Sequence, residues 1–152
     1  MDKSDIIKQT TKDLLKAMGF NAEVSVDASD ENNIMVSIYT EKGGFLIGQG
    51  GSNLKALQHI VRILINKKLN QHISFVLDVN DYRKHRMELL KKLAKDIANQ
   101  VIEEKVPHIL YPMSSYERRI IHLTLSNFSN VKTESIGEEP ERRVIIKPKG
   151  QK

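Results

Sequence analysis

Two places in this chain have residue types and spacing suited to holding an anion. The first is Phe45-Leu46-Ile47-Gly48-Gln49-Gly50-Gly51-Ser52-Asn53-Leu54. Three large apolar residues enter it, Gly48 and Gly51 stand three apart, and a long apolar-periodic segment leaves it. Glycine turns through positive φ without a Cβ clash and leaves no side chain between its peptide planes and a ligand. The spacing predicts a tight turn between two helices, with bare amides open to a phosphate. The second place is Arg118 and His122, four residues apart. On a helix they project from one face. A guanidinium fork holds a phosphate through two parallel hydrogen bonds. An imidazole one turn away donates to the next phosphate or stacks under a base; the alternative is internal use, with His122 partly buried on a backbone carbonyl and Arg118 on a surface glutamate.

Neither standard nucleotide fingerprint fits the glycine stretch. A Walker loop ends in Gly-Lys-Ser/Thr, and no lysine precedes Ser52. A Rossmann turn needs a third glycine, and Asn53 stands there. What remains is Ile47-Gly48-x-x-Gly51-x-x-Leu54, the pattern of the KH clamp on single-stranded nucleotides. A plain helix-turn-helix corner is the alternative. The candidate RNA-binding residues of the loop are Ile47, Gly48, Gln49, Gly50, Gly51 and Lys55. KH loops often carry a basic residue between the glycines. Gln49-Gly50 is uncharged, so Lys42, Lys55 and Arg62 are the nearby cations expected to compensate.

The elements around the loop decide between these readings. Residues 4–18 predict a helix, with Ser4 as N-cap, a face of Ile7, Thr11, Leu14, Leu15 and Met18, and Gly19 as the stop. Residues 21–27 and 34–39 alternate apolar and polar residues about a short polar turn, which predicts an antiparallel hairpin. Residues 42–47 form a helical turn into the glycines. Residues 52–68 form a long helix with Leu54, Leu57, Val61 and Leu64 in one stripe, widened by Ile60, Ile63 and Ile65. Residues 73–79 form a third strand. Helix, strand, strand, short helix, Gly-x-x-Gly, long helix, strand resembles the type II KH fold over residues 1–79: a three-stranded sheet with helices on one face.

Asn80 or Asp81 then caps a helix running to about residue 105, with a stripe of Leu90, Leu93, Ala94, Ile97, Val101 and Ile102. Arg83, Lys84, Arg86, Lys91, Lys92 and Lys95 crowd its first half, where the helix dipole disfavours cations. Pro107 stops it. Ser114 and Glu117 have capping-box spacing, so a helix starts there. Residues 131–136 and 142–147 read as strands about the turn at 137–140, and the tail 149–152 as disordered. Arg118-x-x-x-His122, the proline and capping box before it, the basic helix and the following strand pair resemble the R-three-H domain over residues 80–148. That domain binds single-stranded nucleic acid. The resemblance implies Arg118 and His122, with Arg119, Arg83, Arg86, Arg142 and Arg143, as its contact residues.

A KH module followed directly by an R-three-H module is similar to the bacterial Jag, or SpoIIIJ-associated, proteins. The overall class is therefore α+β, in two small domains. The resemblance implies a cytoplasmic, non-catalytic protein binding single-stranded RNA, acting as an RNA chaperone or post-transcriptional regulator. It also implies a link to cell elongation and envelope synthesis, and a small KH-only protein as partner. Many members carry an N-terminal Jag domain and linker besides. Neither is present in these residues, so functions residing there are not expected of them.

Composition agrees. The chain has 152 residues, 39% hydrophobic and 28% charged, which suits folded domains. It has no cysteine, so disulfides and thiolate metal sites are excluded. The N-terminus does not read as a signal peptide, and no apolar run is long enough to span a bilayer. Net charge is +5. Residues 1–79 carry nine cations and nine anions; residues 80–152 carry fifteen against ten. The second half holds the whole excess, as expected where a polyanion is met mainly by one module. No cofactor or metal is expected, since neither paired histidines nor carboxylates cluster at ligand spacing. Alternatives are single-stranded DNA as ligand and a protein-interaction module, with self-association through the KH half. A metal-independent nuclease using His122 as general base is a remote one.

Overall fold

A computed structural model describes residues 1–150. The chain divides into two compact units, Met1–Arg83 and Lys84–Lys152. The break falls after Arg83, whose side chain reaches back to Leu77 and Gln58.

The first unit runs α1 (Lys3–Ala17), β1 (Glu23–Asp27), β2 (Ile34–Tyr39), α2 (Gly43–Ile47), a short 3-10 turn (Gln49–Gly51), α3 (Ser52–Leu69) and β3 (Phe75–Val79). The α1 N-cap is Asp2, whose carboxylate accepts from the Asp5 amide, rather than Ser4. Asp2 stands in extended backbone, and Ser4 is already within the helix. Strands β1 and β2 pair antiparallel, with Val24 opposite Ile38 and Val26 opposite Val36. The other edge of β2 takes β3 in parallel, so β2 is central. A parallel neighbour needs a crossover, and α2, the glycine turn and α3 supply it. Ile34, Val36 and Ile38 face a core completed by Ile7 and Leu15 of α1 and by Leu54, Leu57, Val61 and Ile65 of α3. Ile65, not Leu64, completes the buried stripe of α3, and Met18 is exposed.

Side chains finish the sheet where the ladder stops. The Asn80 carboxamide accepts from the Thr40 amide at 3.0 Å and donates to the Thr40 carbonyl at 2.8 Å. It thereby replaces one more backbone pair just before α2. Gly43 is packed so close to that carboxamide that a Cβ would collide with it. The outer edge of β3 is also occupied. Leu77 donates its amide to Gln58, its carbonyl accepts from Arg83, and the Phe75 carbonyl accepts from Arg62.

Asp78, buried on β3, accepts from the amides of Val79 and Arg83. It therefore supplies the cap of α4 (Tyr82–Glu104), a role expected of Asn80 or Asp81. Both of those residues sit at positive φ in the bend before the helix. Burial raises the Asp78 carboxyl above the usual carboxylate range, against the pull of the two amides it binds and of the Arg83 charge.

The second unit continues α4 and adds β4 (His108–Ile109), α5 (Ser115–Leu125), β5 (Val131–Ile136) and β6 (Arg143–Pro148). The sheet order is β4-β6-β5, antiparallel throughout. Leu90, Ala94, Ala98 and Val101 of α4 share a core with Ile120, Ile121 and Leu125 of α5 and with Val144 and Ile146 of β6. The expected disordered tail does not begin at Lys149. Pro148 pairs with Val131, and the Lys149 amide donates to the Asn130 carbonyl. Residues 151 and 152 lie outside the described residues.

Replacing Asn80 with alanine leaves the Thr40 peptide unpartnered in a half-buried place. We expect the first unit to lose about 1–3 kcal/mol, read as a lower urea midpoint. An unchanged midpoint would show that water replaces the carboxamide at no cost.

Candidate nucleic-acid interface

The glycine turn is built by what precedes it. Helix α2 ends when Gly48 donates to the Gly44 carbonyl and then takes φ 72° and ψ −179°. That backbone region is essentially closed to residues with a Cβ. The Asn53 side chain lies against Gly48 and donates to the Phe45 carbonyl at 3.0 Å, tying the start of α3 to the end of α2. The Gly51 amide returns to the Gly48 carbonyl at 3.2 Å, and the Tyr82 ring lies beside Gly51. Between those two glycines stand Gln49 and Gly50. Both residues are exposed, and nothing stands within 4 Å of where a Gly50 Cβ would be. The bend is thus propped on one side by Asn53 and open on the other.

Lys42 and Lys55 flank the bend in sequence, are exposed, and make no ion pair among the described residues. Arg62 does not serve the loop. It lies over the Phe75 ring and donates to the Phe75 carbonyl. Ile47 is half-buried against the core. Phe45, expected only as an apolar lead-in, is 73% exposed and one turn from Gly48. Its signal in the sequence was an aromatic residue outside the buried stripe that ends in Leu46.

The second candidate set is largely spent inside the protein. Arg118 is only 7% exposed, and its Nη1 donates to the Met113 carbonyl and pairs with Glu139 at 2.9 Å. An open fork for phosphate was expected there; the fold uses it to hold the start of α5 and the β5–β6 turn. His122 does lie on the same helix face. Its two ring nitrogens meet the Thr133 and Ser135 hydroxyls of β5 at 2.7 and 2.9 Å. Burial, and then the Arg118 charge, lower its pKa below the ordinary imidazole value. At neutral pH His122 is therefore an uncharged link between α5 and β5.

The other arginines follow suit. Arg86 pairs with the buried Glu117 at 2.8 Å, which raises the arginine's already high pKa further. Ser114 accepts from the Glu117 amide as a capping box requires, but the Glu117 carboxylate goes to Arg86 instead of returning to the cap. Arg83 is bonded to Leu77 and Gln58. Arg142 donates to the Gly137 carbonyl at 2.7 Å. Arg143 pairs with Glu141. Arg119 alone of the seven is exposed and has no partner among the described residues. The two sets lie in different units, 47–55 in the first and, Arg83 apart, 86–143 in the second.

A family model described as "KhpA/KhpB, KH domain" matches residues 4–79. A second model, that of the R-three-H domain, matches residues 88–148. RNA-binding protein KhpB of Bacillus subtilis (strain 168) is 34% identical over 154 residues, spanning 98% of this chain and 74% of that protein. The chain belongs to the KhpB, or Jag, family. Within that family, the KhpB of Clostridium symbiosum is 42% identical over 131 residues, and that of Lactiplantibacillus plantarum 37% over 133. The chain spans 59% and 41% of the lengths of those two relatives.

His122 gives a pH test of this geometry. An imidazole whose folded pKa lies below its unfolded value, about 6.5, binds protons more tightly when unfolded. Its contribution is therefore fully present above that value and is lost as pH falls through the folded pKa. We expect His122→Asn to flatten the fall in stability between neutral pH and about pH 5. Thermal unfolding across that range checks it; an equal fall in both proteins would contradict it.

Proposed function

We propose that this chain binds single-stranded RNA without catalysis, with the Gly48–Gly51 bend gripping the strand's backbone. The observation that carries the reading is the exposed, unobstructed backbone at Gln49 and Gly50, with nothing within 4 Å of where a Gly50 Cβ would be. An anionic oxygen is the partner that backbone amides in such a turn favour. Phe45 adds an exposed ring on which a base stacks, and Lys42 and Lys55 add charge. The relatives named RNA-binding protein KhpB support RNA as the ligand.

In this reading the chain is a cytoplasmic RNA chaperone or post-transcriptional regulator, tied to cell elongation and envelope synthesis. Among the described residues no helix is long and apolar enough to cross a membrane. Ile60 and Ile63, exposed on α3, are the surface offered to a small KH-only protein or to a second copy of the chain. Arg118 and His122 act by positioning α5 rather than by touching the strand.

The open side of the bend allows a clean test. Gly48 is a poor place for substitution, because its backbone region excludes other residues. Gly50 lies at φ 62° and ψ 18°, which aspartate tolerates, with free space around it. The double variant Gln49→Glu, Gly50→Asp should fold as the parent does. It should bind a short labelled oligoribonucleotide about tenfold more weakly or worse, ~1.4 kcal/mol. Fluorescence anisotropy measures this, with a matched DNA oligomer as competitor. Equal affinity in parent and variant would remove the bend from the interface, and stronger competition by DNA would reassign the ligand.

A further inference from the structure

The second unit has a groove between α4 and α5 that its internal ion pairs leave alone. Its volume is about 560 Å³, within the range of sites that take small ligands. Ile120 lies at its base, and Leu123, 61% exposed, forms an apolar wall. Tyr116 stands on the rim with 66% of its surface exposed. Lys91, Lys95 and Arg119 also line it, and no carboxylate does. None of the three cations has an ion-pair partner among the described residues. By contrast, Arg86, Arg118, Arg143 and Lys147 of the same unit are all paired with glutamates.

We propose that this α4–α5 groove is a second seat for the same polynucleotide, holding one or two nucleotides of a flexible single strand. A base would stack on Tyr116 against Leu123, with the adjoining phosphates on Lys91, Lys95 and Arg119. Lys91 and Lys95 stand one helical turn apart, with roughly 5–6 Å between their Cβ atoms. That arrangement lets one backbone run along both. An aromatic face beside an unbroken set of cations is the combination by which single strands are bound without regard to sequence. A peptide helix would fill the apolar wall, but would leave the cations unmatched unless it were strongly acidic. The strand satisfies both features at once.

The proposal rests on the RNA-binding reading, so its test uses the full chain and keeps the bend intact. Tyr116→Ala should weaken binding of a short labelled oligouridylate by about fivefold or more with little change in salt dependence, and Tyr116→Phe should restore it. Lys91→Gln with Lys95→Gln should weaken binding and make the slope of log affinity against log salt shallower, by about 0.7 per lost phosphate contact. A 4-thiouridine oligomer should cross-link to the segment bearing Tyr116. If the parent binds the oligomer while all these variants match it, the groove is overturned and the bend reading stands. The groove is likewise overturned if cross-links form only in the first unit, or if an amphipathic leucine–glutamate peptide occupies it without displacing the oligomer. A parent that binds no oligomer overturns both.

Discussion

The backbone of Gly48 sets what the rest of the first unit must do. At φ 72° and ψ −179° it breaks α2, and a new helix starts four residues later. Asn53 holds that break by bonding to the Phe45 carbonyl. The sheet supports it from below: the Asn80 carboxamide extends the pairing of β2 at Thr40, and Gly43 lets α2 approach that carboxamide. The exposed turn at Gln49 and Gly50 is thus flanked by contacts made elsewhere in the first unit.

The second unit shows why formal charge is a poor guide to where an anion binds. Most of its arginines are committed to carbonyls or glutamates. Pairing a buried guanidinium avoids the desolvation cost of leaving it alone. The surplus that reaches solvent is carried instead by lysines and by Arg119. Among the arginines, one-residue spacing separates the two roles: Arg118 points into the fold and Arg119 out of it.

Much of this architecture was legible in the sequence. Alternation at 34–39 identified the buried face of β2, and the Ser114–Glu117 spacing located the start of α5. The glycine pair located the turn because only backbone freedom explains that composition. Partnerships were not legible. Arg86 and Glu117 are 31 residues apart, and Arg118 meets Glu139 across a turn. Periodicity tells which face a side chain takes, not which acid or hydroxyl awaits it. His122 was placed on the right face with the wrong neighbours for the same reason: Thr133 and Ser135 come from β5, whose register the helix pattern cannot fix. The capping of α4 by Asp78 was hidden because an acidic residue within a buried strand looks like a mismatch until its two amide donors are seen.

The sealed margin of β3 bears on how copies of the fold meet. A strand edge with unpaired peptides is a template on which another chain adds laterally, leading to sheet growth and aggregation. Here Gln58, Arg62 and Arg83 have already claimed the amide and carbonyl of Leu77 and the carbonyl of Phe75. An incoming strand would have to evict two guanidinium groups and an amide to gain those three bonds. Growth from that margin is thereby disfavoured.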